Sequence, residues 1–288
     1  MTKILITGAN GQLGSELSTL CQTATDIELI ATDVDTLDIC NATAVDDFIQ
    51  QHRPDVLVNC AAYTAVDNAE KDADMAQRLN VDAVENLAKA CCRHHVKMIH
   101  ISTDYVFSGT AHTPYEESDK VCPQSVYGTT KAAGERILCN TLPDAVVIRT
   151  AWLYSSYGKN FVKTMRNLGM SRTEINVVAD QFGTPTYAAD LAQAVMTIIN
   201  SATWQPGIYH FTNEGYATWY DFACAIMLES GINCKVNPIA TSEYPTPAQR
   251  PAYSVLCKKK IRNTYGIEPP HWLDALKRCI ATLQQQQQ

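Results

Sequence analysis

The chain has 288 residues, 46% of them hydrophobic and 18% charged, a balance that builds a globular core of one large domain or two interleaved ones. A formal net charge of −7 argues against nucleic acid as the main partner, since neutralising phosphates needs a basic surface. No apolar run approaches the roughly 18 residues of a membrane helix, and glycine at position 8 comes too soon for a signal peptide.

In chain order, residues 3–7 read as a strand, 11–21 as a helix, 28–32 as a strand and 44–52 as a helix. A third strand at 55–59 leads into a long helix ending near His95, and two more strands follow at 97–102 and 145–149. Continuously apolar strands separated by amphipathic helices predict an α/β fold with a doubly wound, Rossmann-like parallel sheet covered on both faces. Beyond Trp152, eight prolines from Pro185 to Pro270 break the chain into short elements, with convincing strands only at 175–178 and 208–211. The expected division is a dinucleotide-binding domain at 1–150, with a return excursion near 184–200. A smaller α/β substrate-binding domain is expected at 151–288, capping the carboxyl edge of the sheet. The glutamine run at 284–288 carries no apolar anchor and is expected to be a disordered tail. Eleven cysteines without a CxxC pair read as scattered reduced thiols, so cytoplasm is the expected compartment.

The segment Thr7-Gly8-Ala9-Asn10-Gly11-Gln12-Leu13-Gly14 links the first strand to the first helix and spaces its glycines GxxGxxG. Gly8 permits a tight turn, Gly11 lets a pyrophosphate approach the backbone, and Gly14 permits close helix–sheet packing. Helix N-terminal amides then face the anion, which makes Gly8 and Asn10 cofactor-binding candidates. Asp33 ends the second strand, where a carboxylate accepts from ribose hydroxyls. No Arg or Lys stands in Val34-Asp35-Thr36, which leans towards NADH, and either NADH or NADPH is the expected cofactor.

Tyr127 and Lys131 lie four residues apart, on one face of a helix. An ammonium beside the phenol is expected to depress its pKa from about 10, so that it exchanges a proton near neutral pH. Thr103 ends the fourth strand, where open α/β sheets bind their ligands, and is placed to hold a substrate carbonyl.

Together these motifs resemble the extended short-chain dehydrogenases, and more narrowly the dTDP-4-dehydrorhamnose reductases. The resemblance is carried by TGANGQLGSEL from Thr7, NCAAYTAVDNAE from Asn59, STDYVF from Ser102, YGTTKAAGE from Tyr127 and RPAYSVL from Arg250, which span almost the whole chain. It implies reduction of the C4 keto group of a nucleotide-linked 6-deoxy sugar, with Thr103, Tyr127 and Lys131 as the catalytic set. It further implies Gly11, Gln12 and Leu13 at the pyrophosphate, Asp38 and Ile39 near the adenine, and Ala61, Ala62 and Tyr63 along the cofactor. Asp104, Tyr105, Trp152 and Arg250 would face the sugar nucleotide; Trp152 reads equally as a ring-stacking residue or a core indole. Some relatives dimerise through carboxylates that hold magnesium. Glu16 matches one such position and Asp190 another, but Ala188 and Ala189 add no acid, so no metal is expected. A homodimer is expected as the common default. Two alternatives are a sugar-nucleotide epimerase or dehydratase, the dehydratase disfavoured by Tyr105 after Asp104, and a silent regulatory subunit like that of methionine adenosyltransferase.

Overall fold

A computed structural model describes residues 1–286. Its centre is a six-stranded sheet of β1 (Thr2–Thr7), β2 (Ile27–Thr32), β3 (Val56–Asn59), β4 (Lys97–Thr103), β5 (Val146–Thr150) and β6 (Gly207–His210), all parallel in the order β6-β5-β4-β3-β1-β2. Every residue of β3 and β5 is buried, as both-faced covering requires. One face carries α1 (Gln12–Thr23), and the other carries α2 (Ala42–His52), α3 (Ala83–His94) and α4 (Val126–Thr141). Leu5, Leu57 and Val147 meet Val45, Ile49, Leu87 and Leu138 there. The chain reverses direction across the sheet between β1 and β3, which opens a crevice at the carboxyl ends of the strands.

The long helix expected before His95 is broken into Val66–Ala69, Ala73–Gln77, a π-helical turn at Arg78–Asp82, and α3. Fully buried Asn80 accounts for the turn. Its side chain accepts from the Tyr63 N–H (2.9 Å) and donates to the Tyr63 carbonyl (3.2 Å) and Thr130 Oγ1 (3.1 Å), which pulls the chain out of α-helical register.

The second half builds a separate core from α5 (Phe161–Ser171), α7 (Trp219–Ser230) and α8 (Trp272–Gln285), where Tyr154, Val162, Phe222, Ile226, Leu276 and Ile280 pack together. Strand Glu174–Val178 pairs in parallel with Lys235–Ile239. Two segments of this half return to the main sheet. Helix α6 (Ala188–Ile199) sets Leu191 and Val195 against Leu13 and Leu17 of α1, and 207–210 is strand β6 itself. Gln284 and Gln285, expected to open a disordered tail, are the last residues of α8; Gln287 and Gln288 lie outside the described residues.

Candidate active site

The crevice is about 930 Å³ and gathers Gly8, Asn10 to Gly14, Asp33, Asp38, Ile39, Ala61, Ala62, Thr103, Asp104, Tyr105, Tyr127, Lys131 and Trp152. Gly8 makes the turn at φ +69°, and a side chain there would press on the Ala61 backbone nitrogen at 2.7 Å. The N-cap of α1 is Gly11, with no side-chain cap and no acid in the first turn. The positive end of this helix is therefore open towards the crevice and suited to a pyrophosphate. Lys159, which the motifs did not single out, adds a cation to the same wall. These features fit a dinucleotide.

Asp33 holds the glycine loop: its carboxylate accepts from the N–H of Asn10 (2.9 Å) and of Val34 (2.8 Å). Asp38 accepts from the Cys40 N–H (2.9 Å). Tyr63 lies outside the wall, its hydroxyl donating to Asp72 at 3.3 Å, and packs with Tyr105 and Tyr127.

Ser125 caps α4 by accepting from the Gly128 N–H (3.1 Å), which starts the helix so that Tyr127 and Lys131 point to the crevice on successive turns. Their relation differs from expectation. The Lys131 ammonium is turned to other partners than Tyr127: it donates to the Ile101 carbonyl (2.7 Å) and lies 3.3 Å from His100 Nε2. Burial pushes the Tyr127 phenol up to about 12, opposed by the Thr103 hydroxyl and aided by the Asp104 charge. Lys131 is itself pulled down to about 8 by burial.

Thr103 is also committed elsewhere. Its hydroxyl donates to Asp104 Oδ1 (3.0 Å) and accepts from the Tyr105 N–H (3.2 Å), so only a lone pair is left for a substrate oxygen while Asp104 is ionised. Burial raises the Asp104 carboxyl to about 6, against the Thr103 hydroxyl that donates to it. Asp104 Oδ2 and Thr150 Oγ1, both in the crevice wall, are buried without a partner, as in a site that a polar ligand completes. Trp152, at φ +47°, stacks on Trp219 with ring centroids 3.6 Å apart. Arg250 stands behind the wall, paired with Asp67 at 2.6 Å, its Nη1 buried without a partner.

Glu16 and Asp190 lie close enough for the charge of one to raise the other, although burial does most to raise Glu16. Glu16 accepts from Ser155 Oγ (2.6 Å), while Asp190 is held by Arg278 (2.8 and 2.7 Å) and Asn213 (2.7 Å). The motifs contain Asn59, His100 and Glu135 without a role for any of them, and Arg149 stands only as the end of a strand. A polar residue inside an otherwise apolar strand, as at Asn59 and His100, was the available signal.

A phenol kept protonated beside a dinucleotide-shaped crevice is equipped to give a proton to an oxygen as hydride reaches the adjoining carbon. That combination defines an NAD(P)H-dependent oxidoreductase on the extended short-chain dehydrogenase plan. Comparison with known proteins narrows the class. The chain belongs to the RmlD substrate binding domain family, whose model matches residues 1–285. It is 44% identical to a dTDP-4-dehydrorhamnose reductase of Aggregatibacter actinomycetemcomitans, over 98% of this chain and 99% of that one. It is 42% identical to the spore coat polysaccharide biosynthesis protein SpsK of Bacillus subtilis, over 97% of each chain. A solved dTDP-4-dehydrorhamnose reductase of Bacillus anthracis in complex with NADP superposes with a TM-score of 0.93 at 38% identity, covering 98% of this chain and 100% of that one. A UDP-glucose 4-epimerase of Thermus thermophilus, at 20% identity, 98% and 99% coverage and a TM-score of 0.83, shares the fold.

Proposed function

We propose that this chain reduces the C4 keto group of dTDP-4-dehydro-L-rhamnose to give dTDP-L-rhamnose, with NADPH or NADH as reductant. The observation that carries this reading is the convergence of Thr103, Tyr127 and Lys131 on the crevice that the glycine loop and α1 also line. When bound, the reduced nicotinamide supplies the hydride. The chain's own residues do the rest. Gly8 and Asn10 to Leu13 hold the pyrophosphate against the helix N-terminus, while Asp33, Asp38 and Ile39 flank the adenosine end. Ala61 and Ala62 flank the middle of the dinucleotide.

Tyr127 protonates the oxygen of the reduced carbonyl, and its buried phenol holds that proton at neutral pH. Thr103 donates to the same oxygen once Asp104 is protonated and releases the hydroxyl hydrogen, and a donor aimed at developing charge contributes about 3 kcal/mol to lowering such a barrier. Lys131 positions the nicotinamide ribose. Asp104, Tyr105 and Trp152 bind the sugar nucleotide from the side of the second core, with Arg250 behind them. We assign residues 1–150, with α6 and β6, to the cofactor and most of 151–288 to the substrate. A homodimer in the cytoplasm is the working state; the chain's eleven cysteines are all free thiols.

The test is oxidation of NADPH and of NADH, followed at the nicotinamide absorbance, with dTDP-4-dehydro-6-deoxy-L-mannose as substrate. Stoichiometric oxidation is expected, falling by about 100-fold or more in Tyr127→Phe with cofactor binding intact. Near-normal turnover by Tyr127→Phe would overturn the mechanism. A folded, cofactor-binding protein that oxidises neither nucleotide would overturn the reaction.

A further inference from the structure

The turn at 155–160, which joins the short strand Leu153–Tyr154 to α5, is fastened to α1 at three points. Ser155 Oγ donates to Glu16 Oε1 at 2.6 Å, the hydroxyls of Tyr157 and Thr19 lie 3.2 Å apart, and Asn160 Nδ2 donates to Gln12 Oε1 at 3.0 Å. Gln12, Glu16 and Thr19 share one face of α1. Gly158, at φ +62°, bends the turn against the first of them, and a side chain there would come within 3.0 Å of the Gln12 Cγ. A segment of the second half thus lies along the helix whose N-terminus opens on the crevice.

Asn160 decides how Gln12 is presented. Its side-chain oxygen accepts from the Lys163 N–H at 3.1 Å and so caps α5. A backbone N–H can only donate, so the Asn160 nitrogen faces the other way, towards the Ser155 carbonyl (2.7 Å) and Gln12 Oε1. Gln12 therefore turns its oxygen to Asn160, and its NH₂ is left for the crevice that it lines.

Lys159 stands exposed between Gly158 and Asn160. Lys131 and Lys159 are the two cations of the crevice wall, which also holds the carboxylates of Asp33, Asp38 and Asp104. Lys131 is turned to the Ile101 carbonyl and His100, whereas Lys159 enters no ion pair among the described residues. A pyrophosphate seated on α1 meets the helix amides on one side and this turn on the other. We propose that the 155–160 turn is the second wall of the pyrophosphate site: Lys159 supplies its cation, and Asn160 is a positioning residue that turns the Gln12 NH₂ to the same phosphates. This rests on the dinucleotide reading of the crevice and makes cofactor affinity depend on a segment of the second half.

The experiment titrates the full chain with NADH and with NADPH by nicotinamide fluorescence, and separately with dTDP by calorimetry, all without substrate. Lys159→Met removes an exposed charge and nothing that holds the fold. The dissociation constants of NADH and NADPH are expected to rise together by about tenfold, the worth of one charge-assisted hydrogen bond, with dTDP binding unchanged. The gap between parent and variant should close as salt is raised from about 0.05 to 0.5 M, and Lys159→Arg should bind like the parent. Asn160→Ser keeps a capping hydroxyl for α5 but is too short to reach Gln12, and a rise of about threefold is expected. Parental affinity in Lys159→Met would overturn the inference, and parental affinity in Asn160→Ser would overturn the part given to Asn160. Weakened NADPH alone would place the cation on the 2′-phosphate, and weakened dTDP with NADH untouched would place it on the substrate; either result overturns the assignment. A folded parent that binds neither nucleotide would overturn the dinucleotide reading as well, whereas a parent that binds and a Lys159→Met that binds equally tightly would overturn the clamp alone.

Discussion

Replacing Glu135 by Gln removes one charge from a buried ion pair while keeping the shape of the side chain. Arg149 is 1% exposed and donates two bonds to the Glu135 carboxylate, Nε to Oε1 at 2.9 Å and Nη2 to Oε2 at 2.7 Å. Ser102 Oγ donates to the same Oε1 at 2.5 Å. A glutamine has one acceptor oxygen, so its NH₂ faces either the guanidinium or the serine hydroxyl, and Arg149 keeps its charge without a counterion. Breaking a buried pair from one side costs about 3–5 kcal/mol. For 288 residues the unfolding entropy near the midpoint is about 0.6 kcal/mol/K, so the expected fall in Tm is about 5–8 °C. The assay is a thermal scan by circular dichroism with a urea titration as cross-check. Glu135→Leu combined with Arg149→Met removes both charges and should recover most of the loss. A Glu135→Gln Tm within about 1 °C of the parent would refute the argument, because Arg149 would then not depend on its counterion.

Asp33→Ala removes the carboxylate that ties Asn10 to the end of β2, and charge-assisted bonds of this kind contribute about 1.5–3 kcal/mol each. The KM values for NADH and NADPH are expected to rise together, about tenfold; a rise for NADH alone would make Asp33 a ribose reader and not a brace for the loop. Asp104, raised to about 6, takes the Thr103 hydrogen only while ionised. The kcat/KM for the keto sugar is therefore expected to increase as pH falls through about 6, with Asp104→Asn erasing that inflection; an unchanged inflection in the variant would exclude Asp104 as its source. His210 is pulled down to about 3 by burial and the Arg149 charge. Its folded pKa lies below the ordinary 6.5, so its contribution is complete above about 6.5 and lost as pH falls towards 3, by roughly 5 kcal/mol in all. Urea midpoints should drop steeply between pH 6.5 and 4, and a pH-independent midpoint over that window would contradict the assignment.

Much of the cofactor side was written locally. Strand, glycine turn and helix follow one another within residues 2–23, so apolar runs and glycine spacing were enough to place Gly8 and Asn10 to Leu13 in the crevice. The four-residue spacing of Tyr127 and Lys131 put both on one face of α4, as found. What spacing leaves open is the group opposite that face. Lys131 meets the Ile101 carbonyl and His100, on a strand some 30 positions earlier, and not the phenol one turn away. Trp152 lies on Trp219, and Arg250 is paired with Asp67, 183 positions distant. The break of the helix before His95 has the same origin: a buried asparagine, Asn80, whose partners are Tyr63 and Thr130. Each of these depends on the tertiary approach of segments whose own patterns say nothing of one another.

The parallel register explains why so much polar chemistry is tolerated in the interior. Ile6, Val58 and Ile99 are aligned across β1, β3 and β4, and one residue further along the same strands Thr7, Asn59 and His100 are aligned. The sheet thus passes from an apolar row to a hydrogen-bonded polar row within a single residue of each strand. Ser102 and Thr103 stand in register with Arg149 and Thr150 beyond it. Each strand in isolation ends in one or two polar residues and looks merely terminated; alignment turns those ends into two hydrogen-bonded groups, Thr7–Asn59–His100 and Ser102–Glu135–Arg149. A buried polar group without a partner costs about 1–3 kcal/mol, so a one-residue slip of β3, which both apolar faces of the sheet would tolerate, would take Asn59 away from Thr7 and His100. The requirement for a satisfied active-site wall therefore selects this register, and the same register sets the partners that Lys131 meets, the Ile101 carbonyl and His100.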